Sequence, residues 1–178
     1  MIETERLILR GWHQSDQEPW AQMGCDPEVM RHFEGPIDRE QSDSMIEERL
    51  RPHIERNGWG LWAVERKSDR AFLGFTGLAH VDFACPIQGE VEIGWRLAHH
   101  AWGHGYAFEG ASAAVEYGFN TLGLERIVAM TIEANDRSRH LMDKLGMVRA
   151  PELDFDHPRV PKGSPKRPHI VYLIERPA

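Results

Sequence analysis

The feature that most constrains this chain is a change of hydrophobic period near residue 60. Beyond it, "GLWAVERK", "AFLGFTGLAHV" and "EVEIGWRLA" are short, aromatic and β-branched, with turn signals between them at Ser68-Asp69 and Pro86 to Gly89. Such runs predict three consecutive antiparallel strands, a meander. The stretch that follows, "LAHHAWGHGYAFEGASAAVEYGF" from Leu97 to Phe119, leaves the third strand and passes through two glycines one residue apart. It then reads as a helix from about Gly105 to Thr121, with Ala107, Ala111, Ala114, Val115 and Phe119 on the buried side.

Upstream, "ERLILRGW" reads as a first strand with Leu7 and Leu9 on one face. "HQSDQEPWAQMGCDPEVMRHF" holds two short helices, the first capped by Ser15 or Asp16 and the second opened by Asp26-Pro27. A longer helix starts at about Asp38, carries Met45, Ile46, Leu50 and Ile54 as its apolar stripe, and ends at Asn57-Gly58. Pro52 is expected to kink or break it. Downstream, "RIVAMTI" reads as a strand, "NDRSRHLMDKLG" as a helix closed by Gly146, and "HIVYLIERP" as a final strand. The intervening "APELDFDHPRVPKGSPKRP" is rich in proline and charge and reads as a surface excursion. The order β, helices, β-β-β, α, β, α, β, β predicts one α+β domain over residues 1–178, with no internal repeat.

Composition narrows the function. A chain of 178 residues with 41% hydrophobic and 28% charged residues is long enough for one full core. No run approaches the roughly 18 apolar residues of a membrane span, so no membrane partner is expected. The start, "MIETER", has no apolar core of a secretory signal, and the two cysteines, Cys25 and Cys85, form no paired motif. Both point to the cytoplasm. A net charge of −7 argues against nucleic acid as a partner, since neutralising phosphates needs a basic surface.

The Gly-His-Gly turn admits three readings. A strand, a glycine turn and a helix start form a phosphate trap, because the first helical N–H groups lack acceptors and the helix dipole favours an anion. The same pattern also serves as a plain structural turn. A metal site on His99, His100 and His104 is the third reading, but Gly103 and Gly105 make helix improbable there, so the four-residue spacing of His100 and His104 loses its meaning. No Gly-Lys-Ser/Thr run exists for a nucleotide phosphate loop, and "GHGYAF" ends in Phe108 where a dinucleotide fingerprint needs glycine.

Taken together, "VEIGWRLA", "HHAWGHGYAFEGA", "RIVAMT" and "NDRSRHLMDKLGM" resemble the GNAT acyl-CoA N-acyltransferases, in particular their RimJ/RimL-like branch of ribosomal-protein N-acetyltransferases. "ETERLILRGW" and "HIVYLIER" extend the resemblance over almost the whole chain. It implies the GNAT fold: a mixed, largely antiparallel central sheet with flanking helices and a splayed fourth strand. It also implies acetyl-CoA as co-substrate, no metal, and a primary amine as acceptor, either a protein N-terminus or a small molecule. The family's pyrophosphate loop falls on Trp102, Gly103, His104, Gly105, Tyr106 and Ala107. Trp102 replaces the family's Gln/Arg and leaves the binding to backbone amides. The pantetheine arm is implied beside Trp95, Arg96 and Leu97, and Asn135 occupies the family's Asn. The same side chain is equally suited to capping the helix from Asp136.

The resemblance implies direct attack in a ternary complex. Glu92, on the fourth strand, stands where several family members place a catalytic Glu, and strand alternation puts it on the face away from Val91, Ile93 and Trp95. A solvated strand carboxylate is the plain alternative, and His80 is a rival base. Many members carry a proton-donating Tyr seven residues after the Asn. Here that position is Met142, which leaves Ser138, on the first turn of the same helix, as the substitute. Trp12, Phe33, Trp59, Phe83, Phe155 and His157 are candidate acceptor walls or core aromatics. Two other readings stay open, a CoA-binding domain without turnover and a histidine-based metal protein. An exposed strand or the proline-rich excursion offers a surface for a homodimer.

Overall fold

The computed structural model of the chain describes residues 1–177. Its elements are β1 (Ile2–Glu3), β2 (Leu7–Arg10), α1 (Gln17–Cys25), α2 (Pro27–Met30), α3 (Arg39–Ser44) and α4 (Arg51–Asn57). They continue with β3 (Leu61–Arg66), β4 (Phe72–His80), β5 (Val91–Leu97), α5 (Tyr106–Asn120), β6 (Arg126–Thr131) and α6 (Asp136–Lys144). Short strands β7 (Val148–Arg149) and β8 (Phe155–Asp156) precede β9 (Pro168–Glu175). The sheet runs β1-β2-β3-β4-β5-β6-β9-β7, with β8 added against β9. The meander read from the sequence is β3, β4 and β5, each antiparallel to the last.

The α5 crossover makes β5 and β6 parallel, and they pair only at Glu92 and Val128. Beyond that rung the two strands part, which is the splay at the centre of the sheet. Small residues let α5 lie close on it. A methyl group added at Gly110 would stand 2.9 Å from the Thr76 side chain, and one at Gly118 would stand 2.8 Å from Ile127. The buried side of α5 is Gly110, Ala111, Ala114, Val115, Gly118 and Phe119. Ala107, expected among them, lies in the first turn, is half-buried, and packs against the core while also lining the cavity at the splay.

Three apolar clusters hold the layers together. Under α5 lie Leu7, Leu9, Trp62, Leu73, Leu78 and Ile127, all but removed from solvent. Each such side chain contributes about 1.5–3 kcal/mol relative to exposure. On the opposite face, α1, α2 and the long helix bring Trp12, Trp20, Met23, Met30 and Ile46 against Ala63. Farther along that face, Val81, Ile87, Val128 and Val171 are covered by Phe83, Leu153 and Phe155. The proline-rich excursion is therefore more than a surface loop: its Leu153 and Phe155 cover part of the sheet.

The long helix is not broken at Pro52. Between α3 and α4 the chain winds through a π-helical turn, Met45–Leu50, where the Arg51 N–H bonds Ile46 O five residues back. Pro52 then falls at the start of α4, where a missing N–H leaves nothing unsatisfied. Two expected ends are present, with Asp26 accepting from the Glu28 N–H and Gly58 closing α4 at φ +75°, and α3 opens on a reciprocal box between Asp38 and Gln41 that the sequence had not suggested. Asp16 precedes α1 but does not cap it with its side chain; its carboxylate is buried against Arg10 at 2.7 Å. Arg10 also pairs with buried Glu65 at 2.6 Å, tying β2, β3 and α1 together.

Candidate active site

The splay opens beside the chain segment that follows β5. A single 3-10 turn (His99–Ala101) leads to Gly103 at φ +78° and Gly105 at φ +81°, and α5 begins at the next residue. These left-handed angles cost a residue with a Cβ about 1–2 kcal/mol, so both positions favour glycine. The turn is braced from outside. The Arg6 guanidinium donates to His104 O at 2.9 Å and to Glu109 Oε2 at 2.6 Å, while the Thr4 hydroxyl donates to Glu109 Oε1 at 2.5 Å. Burial works against the Glu109 charge, but the bonds from Thr4 and Arg6 outweigh it and hold the carboxyl below its ordinary range. From inside, the Trp102 indole N–H donates to Leu97 O at 2.8 Å and pegs the loop to the end of β5.

The wedge is a cavity of about 650 Å³. Trp95, Arg96 and Leu97 line it from β5, and Trp102, Gly103, Gly105, Tyr106 and Ala107 from the loop and the first turn of α5. Asn135 and Ser138 line it from α6. His104 does not. The two left-handed glycines turn its exposed ring outward, where it stacks on Tyr106 at 5.6 Å, and only its carbonyl takes part in the loop. Asn135 caps α6, accepting from the Ser138 N–H at 3.3 Å and donating to Thr131 Oγ1 at 3.1 Å.

Several lining residues have no counterpart among the residues singled out from sequence. Arg137, His140 and Lys144 come from α6, and Glu28, Arg31 and His32 from α2 and the loop after it. The α6 set was detectable, since 137, 140 or 141, and 144 share one helical face. The α2 set was not, because only the fold brings it to β5. On the wall, Arg31, Arg96, Arg137 and Lys144 outnumber Glu28 and Asp136. A cationic hollow in a chain of net charge −7 suits an anionic ligand.

Glu92 stands outside that wall. Register sets it beside Ala79 and Val128, on the face away from α5, at the rung where β5 and β6 separate. Burial pushes its carboxyl up to about 7, with Asp82 adding repulsion and Arg159 partly offsetting it. A carboxyl titrating there is poised to accept a proton near neutral pH. His80, the rival base, pairs with Val91 and so lies on the opposite face of the sheet, where its ring meets Trp59 edge-on at 5.1 Å. Met142 is 2% exposed in the main core, so the position of the missing tyrosine is filled by packing.

Of the candidate walls, Phe33 lines the cavity. Trp12 is core, with its N–H on Leu61 O, and Phe83 packs with Phe155 and His157 beneath the excursion. Among the described residues no three His, Cys, Asp or Glu side chains cluster as metal ligands. His99 packs against Trp102 at 4.8 Å and His104 against Tyr106, so the three histidines read from the sequence do not converge.

A mostly antiparallel sheet split between two parallel strands, with a glycine turn and a helix start at the split, defines an α+β protein with a ligand-sized cleft in its central sheet. The chain matches the Acetyltransferase (GNAT) domain over residues 6–148, and it belongs to that family. The uncharacterized N-acetyltransferase YoaA of Bacillus subtilis (strain 168) is 33% identical over 150 residues, covering 82% of this chain and 81% of that protein. The GNAT-family acetyltransferase of Bacillus anthracis superposes with a TM-score of 0.79 at 26% identity, over 98% of this chain and 97% of the other. A spermidine N-acetyltransferase of Vibrio cholerae, solved with CoA and spermine, shares the fold with a TM-score of 0.73 at 18% identity, over 97% and 96% of the two chains.

Proposed function

We propose that this protein is an acetyl-CoA-dependent N-acetyltransferase of the RimJ/RimL-like branch, a single domain over residues 1–178 that acetylates a primary amine by direct attack in a ternary complex. The observation that carries the reading is the splay of β5 from β6, with the Gly103–Gly105 turn and the free amides of α5 at its open end. Those amides, with Arg137 and Lys144, suit the CoA phosphates, and the unpaired edge of β5 at Trp95 to Leu97 suits the pantetheine amides.

Acetyl transfer makes an amide bond, breaks a thioester and releases a proton and a thiolate. Glu92 takes the proton from the attacking amine, through water, since it stands outside the cavity wall. Backbone N–H groups of β5 near Trp95 steady the developing oxyanion. Ser138 lines the cavity, and its hydroxyl makes no hydrogen bond among the described residues, which leaves it free to donate to the departing sulfur. With Met142 buried in the core, a domain that binds CoA without turnover is the second reading.

Thermal unfolding with acetyl-CoA, CoA, NAD or zinc at about 1 mM separates these alternatives. A ligand at about 100 times its Kd adds about 2.7 kcal/mol of stability. A shift with both CoA compounds, followed by thiol release in the presence of amines, supports the enzyme. A CoA shift with no thiol release on a broad amine panel supports the binding domain, and a shift with zinc alone removes both.

A further inference from the structure

The face of β5 turned away from α5 carries Glu92, Gly94 and Arg96. Neither apolar cluster on that side of the sheet includes any of the three. Gly94 leaves room between its neighbours, since a methyl group there would meet only Leu61 at 3.7 Å and Phe75 at 4.0 Å. Arg96 lines the cavity, yet it makes no ion pair among the described residues, and its Nε is buried with no hydrogen-bond partner. Its guanidinium lies over the Phe33 ring at 3.9 Å, with Trp20 at 5.5 Å and Phe75 at 5.8 Å.

Such a site is unusual in this molecule. The two acids of the cavity wall already have cations of their own, Glu28 with Arg31 at 2.6 Å and Asp136 with Arg139 at 3.3 Å. Arg96 has aromatic faces in place of a carboxylate, and burial alone pulls its pKa down to about 10. A buried cation is stable when an anion completes it, and ring faces supply only part of that energy. CoA does not complete it on the reading proposed above. Its phosphates belong at the turn beyond Trp102, and the portion beside β5 is pantetheine, which carries no charge.

We propose that Arg96 binds an oxyanion, foremost a carboxylate, on the acceptor, so that the acceptor is an amino acid or a similar amine bearing an acid group. This rests on the acetyltransferase reading of the same cavity. Glu92 and Arg96 point to the same side, with the bare Gly94 between them and about 13 Å between their backbones along the strand. Two long side chains reaching inward can hold the amine end and the acid end of one small molecule. A polyamine would instead set a second cation against Arg96.

Paired ligands differing only in the acid test this. The wild-type protein, with and without saturating CoA, is titrated with N-acetyl amino acids and their carboxamides, for example N-acetylleucine against N-acetylleucinamide, following tryptophan fluorescence. Aminoethylphosphonate and ethanolamine form a second pair, and acetyl transfer to the free amino acids and their amides is measured in parallel. The proposal expects the acid of at least one pair to bind ten-fold or more tighter, and Arg96→Met and Arg96→Gln to erase that preference. Equal binding of acid and amide by the wild-type protein across all pairs overturns it and requires no variant to fold. A preference for the acid that survives both substitutions also overturns it. If amides are acetylated as fast as acids, this inference fails and the enzyme stands. If CoA neither binds nor shifts the melt, the functional reading fails.

Discussion

Replacing Glu92 by Gln should make the protein more stable and less active at the same pH. In the folded chain the carboxyl is raised from 4.5 to about 7, chiefly by burial. At about 1.4 kcal/mol per pH unit, that displacement corresponds to about 3 kcal/mol. The residue keeps part of its surface, so the figure is an upper value. The sign follows from proton binding: the folded chain holds this proton more tightly than the unfolded one. The favourable contribution is complete below pH 4.5 and drains away as pH rises to about 7, leaving a buried charge above it. Glutamine has the same shape and never ionises. E92Q should therefore match the wild type at pH 4.5 and exceed it by up to about 3 kcal/mol at pH 8, a rise of about 6–12 °C in Tm for a chain of this size. Melts followed by circular dichroism from pH 4.5 to 8.5 read this directly. With a productive amine in hand, wild-type kcat/KM should climb through pH 7 and E92Q should lose about 10²–10⁴ of it. A Tm difference that does not change with pH, or a glutamine variant less stable at pH 8, would refute the burial argument.

Other expectations rest on separate features. Arg10→Met should cost about 3–5 kcal/mol in urea unfolding, because it strands the buried Asp16 and Glu65 carboxylates without a cation. Gly103→Ala meets no atom within 4 Å, so its stability loss should be only the left-handed strain, about 1–2 kcal/mol, while calorimetric CoA affinity falls if phosphate sits on that turn. Asn135→Ala should cost about 1 kcal/mol through the lost cap, and Asn135→Asp should keep the cap. Weaker CoA binding by both Asn135 variants would assign the amide group to pantetheine as well.

The main strands and helices and their order along the chain were largely legible because local signals agreed. The alternation in "GLWAVERK" and "EVEIGWRLA", the helix starts at Asp26 and Asp38, and the closing Gly58 all act within a few residues of themselves. The β5–α5 and α6 portions of the candidate cavity, at Trp95 to Leu97, Trp102 to Ala107, Asn135 and Ser138, were reached through the family resemblance rather than through local pattern. What failed were features set at long range. Pro52 looked like a breaker until the preceding turn widened to a π-helix. The excursion looked solvated because its few apolar residues, Leu153 and Phe155, show no period, yet the sheet gives them a surface. His104 sat inside the loop motif, but the backbone angles of its two glycine neighbours decided its direction. Arg96 was read for its backbone; the isolation of its side chain depends on Trp20, Phe33 and Phe75, which are distant in sequence.

The single rung joining β5 to β6 has a mechanical consequence. A continuous sheet resists shear at every ladder bond across it, whereas here the β1–β5 plate and the β6, β9, β7 plate share one ladder rung and are otherwise coupled through side chains, those beneath α5 and the Val81, Ile87, Val128 and Val171 cluster on the other face. The molecule is thus a pair of stiff leaves on a narrow pivot, and its softest direction is the one that widens or narrows the wedge. A ligand lying between the leaves as an extra strand would stiffen that direction by supplying the rungs the chain itself omits. Loading the cavity and rigidifying the frame would then be one event.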